Sequence, residues 1–303
     1  MDTLQDALTD VRDRWPEAAW LLSREDTGAI ETLQVFETTL QRLSVPQRTA
    51  FLNGIPRNDE KDFAAKLREL VVYELLYRLK VHPTYHPLVY GDLSPDLSFL
   101  IDEKSFLADV FMSFTPSRIL WPWDSRGSTD AGDKAKKIAD RLSEKYTKYK
   151  KTGAPLVFFV FPGDPGVKPR DAELALYGAS MGDPNLGENF PRKIQGLHTP
   201  GSFFLPDDNW HLIHEMVSAV VWCDWFYTES MKDPGMRLNV LVYHHWNPSV
   251  SIAPGSFRPF SELLWKRAGD CWEPSQTQAP NLAARFVDDS KIVVRKYTAN
   301  QPW

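Results

Sequence analysis

The sequence predicts an α/β protein in which an αβββαβ core surrounds a central mixed sheet, with a helical annex before the core and a β-rich extension after it. Three observations predict this. Apolar residues between Asp62 and Lys80 recur with the 3.6-residue period of a helix. Two short β-rich runs follow, Leu97 to Ile101 and Phe106 to Met112, on either side of a polar Asp102-Glu103-Lys104 turn. Beyond a second helical run from Lys134 to Lys151, the stretch from Pro155 to Phe161 is almost continuously apolar, the pattern of a strand covered on both faces.

The annex, residues 1–58, begins with helical spacing from Thr3 to Trp20 and continues with a run from Ile30 to Leu43 that places Leu33, Phe36, Leu40 and Leu43 on one face. Pro46 opens a short helix through Asn53, which Gly54-Ile55-Pro56 stops. In the core, residues 59–161, Phe63, Leu67, Leu70, Val71 and Leu75 form the stripe of the first helix. Glu74 lies seven residues after Leu67 on that same stripe, so an acid faces inward. His82 to Tyr90 reads as extended. The second helix buries Ala135, Ile138, Leu142, Tyr146 and Tyr149 and carries Lys134, Lys137, Arg141, Lys145 and Lys148 beside them, and Gly153 ends it. The extension, residues 162–303, is expected to pack on the core. It holds helices from Arg170 to Tyr177 and from Asn209 to Met216, and strands at Val217 to Cys223, Leu238 to Tyr243 and Lys291 to Lys296.

Composition narrows the function classes. With 43% hydrophobic and 25% charged residues, the 303-residue chain has the make-up of a globular protein with a substantial interior. The net charge of −5 resides in residues 1–60, and the remaining chain is balanced in sign, which argues against a polycation that coats nucleic acid and restricts any such contact to a local groove. Two cysteines, Cys223 and Cys271, have neither metal-ligand spacing nor the density of a disulfide scaffold, so each is expected as a thiol in a reducing cytoplasm. Asp2, Asp6 and Asp10 at the N-terminus, and the lack of an apolar run of about 18 residues, point to a soluble, unprocessed protein with no membrane partner.

Three segments then carry a resemblance. Tyr73-Glu74-Leu75-Leu76, Ser94-Pro95-Asp96-Leu97 and Phe106-Leu107-Ala108-Asp109-Val110 look, in order and in context, like the motifs of the PD-(D/E)XK, restriction-endonuclease-like nuclease superfamily. Val217-Ser218-Ala219-Val220 and Val242-Tyr243-His244-His245-Trp246-Asn247-Pro248 are similar to the C-terminal part of uncharacterised bacterial members, so the resemblance spans about residues 60 to 260. It implies a restriction-endonuclease-like core, Asp96 and Asp109 as ligands of Mg²⁺ or Mn²⁺, Glu74 as the assisting acid of the first helix, and a role in bacterial defence or repair. The charges support a cation: two carboxylates about 4 Å apart repel by about 4 kcal/mol at an effective dielectric near 20.

The third motif departs from the pattern. Two residues after Asp109, where a lysine is expected, stands Phe111, and loss of one preorganised donor typically costs about 100- to 1000-fold in rate. Some members supply this cation from the following helix, which nominates Lys134 as the catalytic substitute, with Lys137 as its neighbour. Lys137, Arg141, Lys145 and Lys148 form either a solvated helix face or a phosphate-contacting stripe. Trp121 and Trp123, in the loop after the third strand, are candidates for stacking on bases, whereas Trp222, Trp225 and Trp246 are expected in the core. His82 and His86, four residues apart on an extended segment, would stand about 13 Å apart and so do not chelate together. His244 and His245, being adjacent, point to opposite faces, which leaves one of them to orient a loop.

Two readings follow. In the first the chain is a divalent-metal-dependent endonuclease that hydrolyses phosphodiester bonds in DNA or RNA, with a homodimer as one assembly. In the second it is a nuclease-like domain that has lost catalysis and binds nucleic acid, or a protein partner through the acidic N-terminal helices.

Overall fold

A computed structural model describes residues 3–87, 93–114, 131–164, 166–177, 194–195, 203–204, 214–228, 235–268, 271–276, 282–288 and 291–296. The first run of helical spacing is two helices, α1 (Leu4–Thr9) and α2 (Pro16–Leu21), because Pro16 cannot continue a helix and instead starts a new one behind an extended Trp15. They are followed by α3 (Thr27–Arg42) and α4 (Val45–Asn53). At the start of α4, Ser44 and Gln47 form a reciprocal capping box.

Helix α5 (Glu60–Arg78) is capped by Asp59, whose carboxylate accepts the Asp62 N–H at 2.9 Å, and Arg78 occupies its last turn. Between Phe63 and Leu76 it is buried almost all round, since it packs on the sheet with one side and on α3 with the other. The annex therefore shares one hydrophobic core with α5 and the sheet: Leu8, Phe36 and Phe51 belong to the same cluster as Leu67, Phe99 and Val110.

The chain then forms β1 (Thr84–Tyr85), β2 (Leu97–Ile101) and β3 (Lys104–Met112), α6 (Ala131–Tyr149), and β4 (Leu156–Phe161). Asp102 and Glu103, both at positive φ, form a two-residue hairpin that fixes the antiparallel register of β2 and β3 as Ile101 opposite Lys104 and Leu97 opposite Ala108. Along β3 the pleat sends Phe106, Ala108, Val110 and Met112 to the α5 core. Leu107 and Phe111 go to a second core under α6. Strand β4 is buried throughout and runs parallel to β3, and Gly153, left-handed at φ 67°, ends the α6 segment before it.

After α7 (Pro169–Tyr177) come β5 (Ile194–Gln195), β6 (Val217–Thr228), β7 (Gly235–His244), β8 (Ser261–Ala268), β9 (Cys271–Gln276), β10 (Leu282–Asp288) and β11 (Lys291–Lys296). Among the described residues all strands join one mixed sheet in the order β1-β2-β3-β4-β6-β7-β8-β9-β5, and β10, itself paired with β11, shares the far edge of β7 with β8. The protein is thus α/β with helices on both faces of a mixed sheet. Of the helix expected from Asn209 to Met216, residues 214–216 form a turn and 209–213 lie outside the described residues. Cys223 is a buried free thiol. No described helix is long and apolar enough to cross a membrane.

The two adjacent histidines serve the extension. His244 sits 2.7 Å from Glu262, whose carboxylate also accepts the backbone N–H groups of Gly255 and Phe257 and so ties the loop before β8 to β7. His245 is buried against Phe204, and its Nδ1 accepts the Asn247 N–H at 3.0 Å. Burial, with His214 nearby, pushes the His245 imidazole down from 6.5 to about 3. Between those values the unfolded chain binds a proton that the folded chain refuses, so this residue makes stability fall as pH drops below about 6.5. The expected loss is about 2 kcal/mol by pH 5. Urea denaturation from pH 7 to pH 5 should show that slope in the wild type and a flatter one in His245→Asn; equal slopes would exclude the assignment.

Candidate metal and carboxylate site

The hairpin register places Asp96, the residue before β2, opposite Asp109 in β3. On the other side of β2, Tyr85 pairs with Leu97, and the next residue, His86, donates its N–H to the Asp96 carbonyl at 2.8 Å. His86, Asp96 and Asp109 therefore form one cross-strand row, just beyond the last β1–β2 pair. Because β2 has ended there, the Val110 N–H lacks a strand carbonyl and is taken by Asp96 Oδ2 at 2.7 Å. That hydrogen bond holds the Asp96 carboxylate at the level of the sheet, where groups from both faces reach it.

From the α5 face comes Glu69. One ligand atom each from Glu69, His86 and Asp96 can be chosen so that all lie within 4.8 Å of one another, a group able to hold a metal ion. Glu69 Oε2 is 3.7 Å from His86 Nε2 and accepts hydrogen bonds from Lys66 Nζ at 2.9 Å and from the Tyr85 hydroxyl at 2.5 Å. Burial pushes the Glu69 carboxyl up, but the His86 contact, the Lys66 charge and the Tyr85 hydroxyl together hold it below the usual carboxylate range. Asp96 goes the other way. Burial, then the charges of Glu69 and Asp109, push it well above the ordinary value, and the Val110 N–H and Lys145 only partly compensate.

From the α6 face come Lys145 and Tyr149. Lys145 Nζ lies 2.6 Å from Asp109 Oδ2, and the Tyr149 hydroxyl donates to Asp109 Oδ1 at 2.6 Å; burial and the Asp109 charge raise the phenol above its ordinary value. Phe111, in the place of the expected lysine, packs edge-on against Phe158 and lies under Lys145, whose ammonium is 5.5 Å from the ring centroid. Lys145 of α6 thus brings an ammonium to Asp109 over the surface that Phe111 forms.

Several candidates read from the sequence sit elsewhere. Glu74 is directed away from the row, toward α3: its carboxylate is held by Arg42 at 3.0 Å, Arg78 at 2.6 Å and the Thr39 hydroxyl at 3.2 Å. Its inward phase was read correctly, but α5 has two inward sides, and five residues separate Glu74 from Glu69 by about 140° around the helix axis. Glu74 instead lines a cleft of about 200 Å³ together with Glu31, Arg78, Trp225, Arg285 and Phe286, none of which belongs to the row. Lys134 donates to the Gly166 carbonyl at 2.7 Å, which ties α6 to the loop before α7. It is therefore not the cation at Asp109.

In the rest of the basic stripe Lys137 and Lys148 are exposed and Arg141 is half-buried. Lys137 is 5.8 Å from the Phe114 ring centroid, Arg141 pairs with Glu144 at 2.6 Å, and Lys148 donates to the Tyr149 hydroxyl at 2.7 Å. Trp121 and Trp123 lie outside the described residues. Trp222 is buried, Trp225 stacks on Phe286, and Trp246 donates its indole N–H to the Phe204 carbonyl. His82 takes no part in the metal-capable group, whereas His86 joins residues distant in sequence.

Comparisons with protein-family models, with curated proteins and with solved structures return no match. The row of acids and its two lysines must therefore be read from its own chemistry.

The Glu74 assignment has a direct consequence for stability. Glu74→Ala removes the carboxylate shared by Arg42 and Arg78 between α3 and α5, and removing one partner of a buried ion pair costs about 3–5 kcal/mol. Urea denaturation should show that loss, whereas Glu31→Ala, which removes a half-buried partner of Arg285, should cost much less. A Glu74→Ala variant as stable as the wild type would refute the structural role.

Proposed function

We propose that the chain is a divalent-metal-dependent nuclease that hydrolyses phosphodiester bonds, and that its reaction centre is the row His86, Asp96 and Asp109 with Glu69 and Lys145. The observation that carries this reading is the convergence of Glu69, His86 and Asp96 on one small volume beside an acid, Asp109, that already has its own lysine. The donor set fits a metal: an Asp96 carboxyl driven up by burial and by two neighbouring carboxylates would be stabilised in its ionised form by a cation placed among them. Two carboxylates and an imidazole suit Mn²⁺ better than Mg²⁺, because imidazole is the softer ligand. A divalent ion held there supplies the Lewis acidity that activates water and neutralises charge at phosphorus.

The chain's own residues supply the remainder. Lys145 brings an ammonium to Asp109, in the role expected of the missing lysine of β3: it orients an attacking water and faces the charge that develops on the phosphoryl oxygens. Tyr149 fixes the Asp109 carboxylate from the other side. Lys148, exposed and one residue from Tyr149, continues the positive charge toward solvent along α6, where a phosphate backbone would approach. The resemblance of the three sequence segments to PD-(D/E)XK nucleases supports the same reading, with Glu69 in place of Glu74 as the acid of the first helix and with the core taken as restriction-endonuclease-like.

A second reading rests on the ion pairs themselves. Lys66 and Lys145 already neutralise two of the three acids, as they would in a domain that has lost catalysis and retains nucleic-acid binding.

Calorimetric titration with Mn²⁺ and cleavage assays on DNA and RNA separate the two. On the nuclease reading, the wild type binds Mn²⁺, and Glu69→Gln and Asp96→Asn lose both binding and cleavage. Lys145→Met keeps the metal but cleaves about 100- to 1000-fold more slowly, and Lys134→Met cleaves like the wild type. Nucleic-acid binding without metal and without cleavage would establish the degenerate domain instead.

A further inference from the structure

The metal-capable group already holds a cation of the protein's own. Lys66, one turn before Glu69 on α5, is almost fully buried, and its ammonium lies 2.9 Å from Glu69 Oε2 and 3.1 Å from His86 Nε2. Those two residues, which are 3.7 Å apart at the same atoms, are two of the three that would ligate a metal. The ammonium is further held between aromatic faces, 5.3 Å from the ring centroids of both Phe51 and Tyr85. Among the described residues no other lysine or arginine is paired with Glu69.

We propose that Lys66 is the resident counter-ion of this site and that a divalent metal binds only by displacing its ammonium from Glu69 and His86. The proposal rests on the metal-binding reading above and adds to it a competition that sets the affinity. An ammonium hydrogen-bonded to a carboxylate and an imidazole occupies the lone pairs a metal needs, and its charge opposes a dication entering the same space. The four-carbon stem of lysine allows the head group to swing away without moving α5. In the absence of metal the same ammonium keeps Glu69 ionised in a buried setting, so the site stays folded and preformed while empty of metal. The annex takes part, because Phe51 belongs to α4, and Gln47 of the α4 capping box donates to the Tyr85 carbonyl at 3.0 Å.

The test is Mn²⁺ calorimetry on the full chain, comparing wild type, Lys66→Met and Lys66→Arg, with Asp96→Asn added to each background. Lys66→Met, which keeps the length and removes the charge, should bind Mn²⁺ about tenfold or more tightly than the wild type, whereas Lys66→Arg should bind no more tightly. Thermal melts provide a second readout that tolerates a weakened fold: without metal, Lys66→Met should melt below the wild type, and saturating Mn²⁺ should raise its Tm by more. Binding by Lys66→Met alone, lost with Asp96→Asn, would support the proposal in its strongest form. Equal or weaker binding by Lys66→Met, while the wild type binds through Asp96, would overturn the counter-ion role and leave the metal site standing. No Mn²⁺ binding by any of the three would overturn both.

Discussion

The structure depends most on the enclosure of α5. A helix at the edge of a sheet ordinarily has one dry side and one wet side, and its charges take the wet one. Here α3 packs on one side of α5 and the sheet on the other, and Lys66, Glu69 and Glu74 are all buried. A buried charge is tolerated only when it is paired and hydrogen-bonded. Each of the two acids accordingly has its own cations: Arg42 and Arg78 for Glu74, Lys66 for Glu69. The two clusters differ in what else they meet. Glu74 faces another helix and is fully satisfied by arginines, whose planar donors hold a carboxylate from fixed directions. Glu69 faces the end of β2, where a second acid and an imidazole crowd the same space.

That crowding originates in the backbone. A two-residue hairpin at Asp102 and Glu103 leaves no freedom in the pairing of β2 with β3, and a slip of one residue would move Asp109 to the α5 face. With the register fixed, Asp96 stands opposite Asp109 at the point where β2 stops. Its carboxylate replaces a strand carbonyl as the acceptor for Val110 and so reaches both faces of the sheet. Glu69 of α5 from one face, and Asp109 of β3 with Lys145 of α6 from the other, then act on the same carboxyl.

The layer order was readable because the pattern changes cleanly, from a 3.6 period in α5 to short β-rich runs in β2 and β3 and to a continuous apolar run in β4. Pro16 was a break inside a pattern read as one helix, a local signal outweighed by the apolar spacing around it. Strands β8, β9 and β10 were not legible: Pro274 interrupts one of them, and polar residues such as Glu262, Lys266 and Arg267 break the apolar runs that mark a strand. At the site, Asp96 and Asp109 were visible through the motif and the hairpin. Glu69 was not, because nothing in the phase of a helix says which of two covered sides faces the chemistry. His86 was set aside as a partner of His82, and its real neighbours are 17 residues before it and 10 after it. Lys145 was seen as one member of a stripe, since a sequence shows which residues share a helix face but not which turn of the helix passes over the third strand.

Charge balance gives these misses a common cause and links the site to its further chemistry. Three carboxylates, Glu69, Asp96 and Asp109, share the row and its margins, and two buried or half-buried ammonium groups, Lys66 and Lys145, touch them directly. With all three ionised, one negative charge would be left over; Asp96 is the acid without a lysine of its own, and burial beside Glu69 and Asp109 favours its protonated form. Replacing the Lys66 ammonium at Glu69 and His86 with a dication removes one positive charge and supplies two, which closes the balance. Moving Lys145 instead would strip Asp109 of its cation and leave the deficit on the other face of the sheet. On the proposed exchange the cation displaced is therefore Lys66, and Lys145 keeps its place beside Asp109.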